Sequence, residues 1–200
     1  MMNFLAERFA GSSGILGILA EWAMAKTHEK VNDRVIALLN LQPRDRVLEI
    51  DFGPGYAIRK IASLLKQGFV AGITSSESLW RHARARNEAA IRTGNVELKL
   101  GTALAIPYPD DCFDKAFTVN SIETWLEPTN DLQEIERVVK PGGRLVVAWQ
   151  PFQGEQETEA QYAGLRIATR LQEAGWMDVK QWDASAPQPP MVCVIGTKPQ

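Results

Sequence analysis

The stretch VLEIDFGPGYAI, Val47 to Ile58, decides how this chain is read. Arg46 to Ile50 is a short β-rich run, mostly apolar, as a strand covered on both faces should be. Gly53 and Gly55 follow, and Ile58, Ile61, Ala62 and Leu65 then recur at helical spacing. Glycine lets backbone approach a ligand closely, because no side chain intervenes. The start of the following helix aims free N–H groups at the same place, which favours a carboxylate or phosphate. A GxG turn alone carries little weight, but here it joins a strand to a helix, the context that gives it meaning. Asp51 stands where such turns have their first glycine.

Outward from this turn, strand and helix patterns alternate. Phe69 to Ile73, Val96 to Leu100, Phe113 to Val119 and Leu145 to Trp149 read as further strands. Between them, Ser76 is placed to cap a helix running to about Ile91. Leu132, Ile135, Val138 and Val139 mark another helix, ending before Pro141-Gly142-Gly143. Leu165, Ala168 and Leu171 mark a further helix, stopped near Gly175. Met177 to Trp182 and Met191 to Thr197 read as two last strands, with Pro187 to Pro190 in the loop between them. Alternation of this kind means an α/β fold, a mostly parallel sheet with helices on both faces. Ligands bind such sheets at the carboxyl ends of the strands, where strand order reverses. No internal repeat and no linker to a second domain is visible, so residues 1–200 are expected to form one domain. Within it, residues 1–42 form an N-terminal helical cap at the sheet edge, with a second helix at about Val31 to Leu39, and residues 43–200 form the core.

Composition excludes several functions. Hydrophobic residues make up 45% and charged residues 23%, with a net charge of -2, so no broad nucleic-acid surface is indicated. Arg81, Arg84 and Arg86 cluster, but Glu77 and Glu88 flank them, as on a solvated helix face. Cys112 and Cys193 show neither metal spacing nor a disulfide framework, which fits a reducing, cytoplasmic setting. Phe9 to Ala25 is apolar but lacks a basic leader and is shorter than the roughly 20 residues a membrane span needs. It reads as a helix packed on the domain, with a place on a membrane surface as the alternative.

The motifs VLEIDFGPG, VAGITSSESL, GTALAIPYPDDCFDKAF, NSIETW and VVKPGGRLVVAW stand in order. Together they resemble those of the class I S-adenosylmethionine-dependent methyltransferases, in a style similar to the ubiquinone and menaquinone C-methyltransferases. The resemblance covers about residues 15 to 150 well and implies a Rossmann-like, mostly parallel seven-stranded sheet. It also implies roles. Glu49, Gly53 and Gly55 would line the methionine end of S-adenosylmethionine. Thr74 and Ser75 would meet the ribose and the adenine edge, and Thr102 and Ala103 the adenine. Asn120 would sit beneath the reactive methyl group, and Ile122 to Trp125 would face the substrate. Trp22, His28 and Asn32 would close over the pocket. Should the acceptor carry a proton, Glu123 and His28 are the candidate bases. No metal set is visible, and His82 carries no signal beyond its helix.

Two positions depart from the family pattern. Glycine is expected at 51 and an acid at 74, the residue that accepts two ribose hydroxyls; this chain has Asp51 and Thr74. Two unit charges about 4 Å apart interact by about 4 kcal/mol at an effective dielectric near 20. Asp51 therefore strengthens binding if it meets the cofactor's ammonium or sulfonium and ruins it if it meets the carboxylate. The simpler expectation is that Asp51 accepts backbone N–H groups at the following helix start. Three functions stay open at this point. The first is methyl transfer to a small, apolar or aromatic metabolite. The second is a non-methylating cyclisation, isomerisation or elimination in a diverged pocket. The third is a non-catalytic partner subunit. A homodimer is compatible with all three.

Overall fold

The computed structural model describes residues 30–151, 157–183 and 191–200. The expectations for Phe9 to Ala25, Trp22, His28 and the Pro187 to Pro190 loop lie outside the described residues. Seven strands form one sheet: β1 (Arg46–Ile50), β2 (Phe69–Thr74), β3 (Val96–Leu100), β4 (Phe113–Val119), β5 (Val139–Trp149), β6 (Met177–Asp183) and β7 (Val192–Thr197). Their spatial order is β3-β2-β1-β4-β5-β7-β6. Strands β1 to β5 pair in parallel, and β7 runs antiparallel to both β5 and β6. The order reverses between β1 and β4, so the ends of these two strands border the ligand crevice of an open α/β sheet.

Helices cover both faces. On one lie α1, described over residues 30–39, and α2 (Tyr56–Leu64). Val35, Leu39, Ile58 and Ile61 there bury against Val47, Val70, Phe117 and Val146. On the other lie α5 (Pro128–Val138) and α6 (Glu157–Glu173), whose Leu132, Ile135 and Ile167 bury against Leu48, Ile50, Ile73 and Val147. Successive residues of β1 thus point to opposite cores, Val47 to one and Leu48 to the other, which is why its apolar residues do not simply alternate with polar ones. Helix α1 lies against β5 and β6: Arg144 Nη1 donates to the Leu38 carbonyl at 2.8 Å, and the Arg34 guanidinium sits 4.8 Å from the Trp182 ring centre.

Two elements differ from the sequence-based expectation. The helix capped by Ser76 is two helices, α3 (Glu77–Arg86) and α4 (Glu88–Arg92), broken at Asn87, whose backbone leaves the helical region at φ -107°, ψ 12°. The cap itself is present, with Ser76 Oγ accepting from the Leu79 N–H at 3.3 Å. Strand β5 begins at Val139, so Pro141-Gly142-Gly143 lies inside a strand rather than before one. A register shift between Phe113 and Lys115 absorbs the extra residues. The C-terminal segment holds them: the Gly142 N–H donates to the Lys198 carbonyl at 3.0 Å, and the Lys198 N–H to the Gly143 carbonyl at 2.9 Å.

Candidate active site

Glu49 is the acidic residue of β1, and it is only 6% exposed. Its register neighbours are Gly72 on β2 and Phe117 on β4. The space over Gly72 is filled by Phe52 and Ile58, within 2.7 Å of where a Cβ would stand. The carboxyl group therefore lies among apolar groups, and its Oε2 is buried with no hydrogen-bond partner among the described residues. Burial pushes its pKa up to about 8, because a low-dielectric setting disfavours the charged form. A buried, unpartnered carboxyl oxygen is costly to leave unmatched.

The turn after β1 shows what position 51 demands. Asp51 has φ 54°, in the left-handed region. Glycine adopts it freely, and aspartate and asparagine are the residues that next tolerate it. The turn thus keeps a glycine-like backbone with a carboxylate added. That carboxylate does not accept N–H groups of α2, as expected from the sequence. Asp51 Oδ2 accepts the indole N–H of Trp125 at 2.7 Å. Trp125 packs against the α5–α6 core, on the face of the sheet opposite α2. Burial pushes the Asp51 pKa up, and the indole hydrogen bond holds it down. The backbone thus turns this side chain away from the glycines and toward the loop after β4.

That loop is a short 3₁₀ turn, Ile122–Thr124, between β4 and α5. Thr118 donates its hydroxyl proton to the Ile50 carbonyl at 3.0 Å and hydrogen-bonds the Ser121 hydroxyl. The ends of β1 and β4 are thereby tied together beneath the loop. Asp131, on the first turn of α5, is 4% exposed, and its Oδ2 is buried without a hydrogen-bond partner among the described residues. Its pKa is pushed up to about 6, first by burial and then by the negative charges of Asp51 and Glu127. Asp51 and Asp131 thus act on each other electrostatically. Asp131 was not foreseen; an acid in the first turn of a helix reads from sequence as a surface partner of the helix dipole.

The two glycines have different tasks. A Cβ on Gly53 would meet nothing within 4 Å. Gly53 therefore presents open backbone. At Gly55, φ is +82°, and a Cβ would stand 2.8 Å from the Ala83 Cβ and 2.7 Å from Asn87 Nδ2. Gly55 lets α3 pack against the turn. Asn87 Nδ2 then donates to the Gly55 carbonyl at 3.2 Å, holding the end of the loop.

The remaining predicted residues are distributed as follows. Thr74 is buried at the end of β2, and its Oγ1 accepts from the Ser76 N–H at 3.3 Å within its own loop. Ser75 and Thr102 are exposed, whereas Ala103 is in the core and offers only its backbone. Asn120, at φ 59°, ends β4; its Oδ1 accepts from the Gln150 N–H at 2.8 Å, so its side chain joins the ends of β4 and β5. Glu123 pairs with α6, 3.4 Å from Arg166 Nη2 and 4.0 Å from Arg170 Nη1. Asn32 is half-buried on α1, and His28 lies outside the described residues.

S-adenosylmethionine carries an ammonium and a sulfonium as well as a carboxylate. A partnerless buried Glu49 Oε2 suits a cation, and the open Gly53 backbone suits close approach, so the residues present fit such a group. Sequence comparison agrees. A family model described as a methyltransferase domain matches residues 48–147, half of the chain. The chain belongs to this family, the class I S-adenosylmethionine-dependent methyltransferases, whose cofactor is S-adenosylmethionine. It is 27% identical over 183 residues to the uncharacterized methyltransferase YdaC of Bacillus subtilis (strain 168), covering 91% of this chain and 99% of that protein. It is 31% identical over 127 residues to a demethylmenaquinone methyltransferase of Symbiobacterium thermophilum, covering 62% of this chain and 51% of that one. The chain thus spans about half the length of the latter. The crystal structure of an S-adenosylmethionine-dependent methyltransferase from Aquifex aeolicus has the same fold, with TM-score 0.69 at 20% identity over 84% of this chain and 89% of that one.

Proposed function

We propose that the chain transfers a methyl group from S-adenosylmethionine to a small, apolar or aromatic metabolite, in a cytoplasmic setting. The observation that carries this reading is Glu49, a buried carboxyl with one oxygen left without a partner among the described residues, followed along the chain by the open backbone of Gly53. Glu49 and Gly53 take the methionine end, Glu49 facing the ammonium. Thr74, Ser75, Thr102 and the backbone of Ala103 take the nucleoside end. The bound cofactor supplies an electrophilic methyl group on a sulfonium. The chain's own work is then mainly alignment and water exclusion, which supply much of the rate when the donor is already activated. Trp125, anchored by Asp51, gives the acceptor an apolar wall. Asp51 is directed to this acceptor side, where its charge favours the sulfonium. Glu123 and His28 stand as bases for an acceptor that carries a proton; Glu123 must first give up its arginine pairing.

Calorimetric titration with S-adenosylmethionine and S-adenosylhomocysteine tests the cofactor half. Saturable heat is expected with both, and none at millimolar ligand would end the proposal. A panel of quinol, phenol and amine acceptors with methyl-labelled cofactor tests the other half. One observation favours a second reading, a non-methylating isomerisation or cyclisation: Asp51 and Asp131 are two interacting carboxyls with raised pKa in a sheltered place. In that case Asp51→Asn abolishes turnover without label transfer in the parent protein.

A further inference from the structure

Away from the cofactor turn, a cleft of about 500 Å³ lies between α2 and α4. Three of its lining residues are cations, Arg59, Lys66 and Arg86, and none of the described lining residues is acidic. Neither Arg59 nor Lys66 is in an ion pair with a described residue. The Arg86 guanidinium lies 3.4 Å over the Tyr56 ring centre, and its Nη1 is buried without a hydrogen-bond partner among the described residues. Asn87, 2% exposed, also lines the cleft, and its Oδ1 is buried and has no hydrogen-bond partner among the described residues. Its orientation is not interchangeable. Asn87 Nδ2 donates to the carbonyls of Gly55 at 3.2 Å and Ala83 at 2.8 Å. Reversing the amide would set oxygen against two carbonyl oxygens. Oδ1 must therefore look elsewhere for a donor.

We infer that this cleft is a second ligand site, separate from the cofactor turn, for a small phosphorylated compound that also carries a hydroxyl or amine. The three cations match a phosphate, with the Arg86 Nη1 as a donor already desolvated. Asn87 Oδ1 takes the hydroxyl or amine proton, which bare phosphate cannot supply in its fully ionised form. The volume suits a ligand of sugar-phosphate size. The site also touches function, since the same amide that receives the ligand holds the Gly55 carbonyl at the end of the cofactor turn. A donor at Oδ1 polarises that amide and strengthens its hold on Gly55.

Ribose 5-phosphate and inorganic pyrophosphate are the probes, followed through backbone and side-chain amide signals in two-dimensional NMR of the full chain. Saturable shifts at Gly55, Asn87 and Asn95 are expected with ribose 5-phosphate, persisting in the presence of saturating S-adenosylmethionine. The Asn87 side-chain signals should move more with ribose 5-phosphate than with pyrophosphate. Arg59→Gln with Lys66→Gln, both on exposed positions, should weaken binding about tenfold or more, the loss of one charge-assisted hydrogen bond. Absence of saturable shifts at millimolar probe overturns the inference. So does an unchanged affinity in the double variant. Displacement by S-adenosylmethionine would assign the shifts to the cofactor site and overturn it equally.

Discussion

Replacing Glu49 by glutamine keeps the shape of the side chain and removes its titration. In the folded protein burial raises the Glu49 pKa from 4.5 to about 8. One unit corresponds to about 1.36 kcal/mol, so keeping this group protonated while the unfolded chain ionises costs folding about 3 kcal/mol by pH 7, and the cost reaches about 5 kcal/mol once the buried group itself ionises. The folded state binds the proton more tightly than the unfolded state. Stability from this group is therefore complete below pH 4.5, declines as pH rises, and levels off above about 8. Glutamine has no such dependence. Urea unfolding of both proteins between pH 5 and 8 reads the difference. The variant should gain on the parent with each step in pH, by about 3 kcal/mol in all. Binding gives a second readout. A cofactor ammonium at Oε2 expels the proton, so calorimetry in buffers of different ionisation enthalpy should show up to about one proton released near pH 7, and none from Glu49→Gln. Parallel stability curves would refute the claim that Glu49 is held protonated by burial. Loss of the slope without proton release would refute its place opposite the ammonium.

The two glycines should separate cleanly. Gly55→Ala forces a side chain into a left-handed backbone and onto Ala83, and should destabilise by about 2–4 kcal/mol in thermal or urea unfolding. Gly53→Ala, with open space at its Cβ, should stay within about 0.5 kcal/mol of the parent yet weaken cofactor binding about tenfold or more by calorimetry. Asp51→Asn keeps an acceptor for the Trp125 indole and tolerates the same φ, while removing a charge beside Asp131. The Asp131 carboxyl should then titrate below its value of about 6 in carbon NMR, and affinity for S-adenosylmethionine should fall more than that for the uncharged-sulfur product. Glu123→Gln breaks the contacts to Arg166 and Arg170 and should change the rate less than twofold when the acceptor needs no base, as steady-state assay with such an acceptor would show.

Much of the fold could be read along the chain because it rests on local pattern. The apolar run Leu145 to Trp149 announces a strand buried on both faces, and Ser76 caps where a serine before an amphipathic run should. Boundaries were less legible where distant chain decides them. Pro141-Gly142-Gly143 looks like a break, but Lys198, far along the chain, pairs with it and keeps it in the strand. Asn87 interrupts a helical pattern because its amide is bound across to the Gly55 carbonyl.

At the site, residue types alone marked a candidate cofactor turn: an acid on β1, two glycines, and a helix start. They also marked Asp51 and Thr74 as departures from the family. The direction of the Asp51 carboxylate was out of reach, because it depends on a left-handed φ of 54° and on an indole 74 residues away in sequence. The same is true of Asp131 and of the unpartnered Glu49 and Asn87 oxygens. Local pattern dictates which segments become strands and helices, since periodicity and turn chemistry act over a few residues. Where a charge points, and whether it is desolvated, depends on what other segments are packed around it, and only the folded chain brings those together.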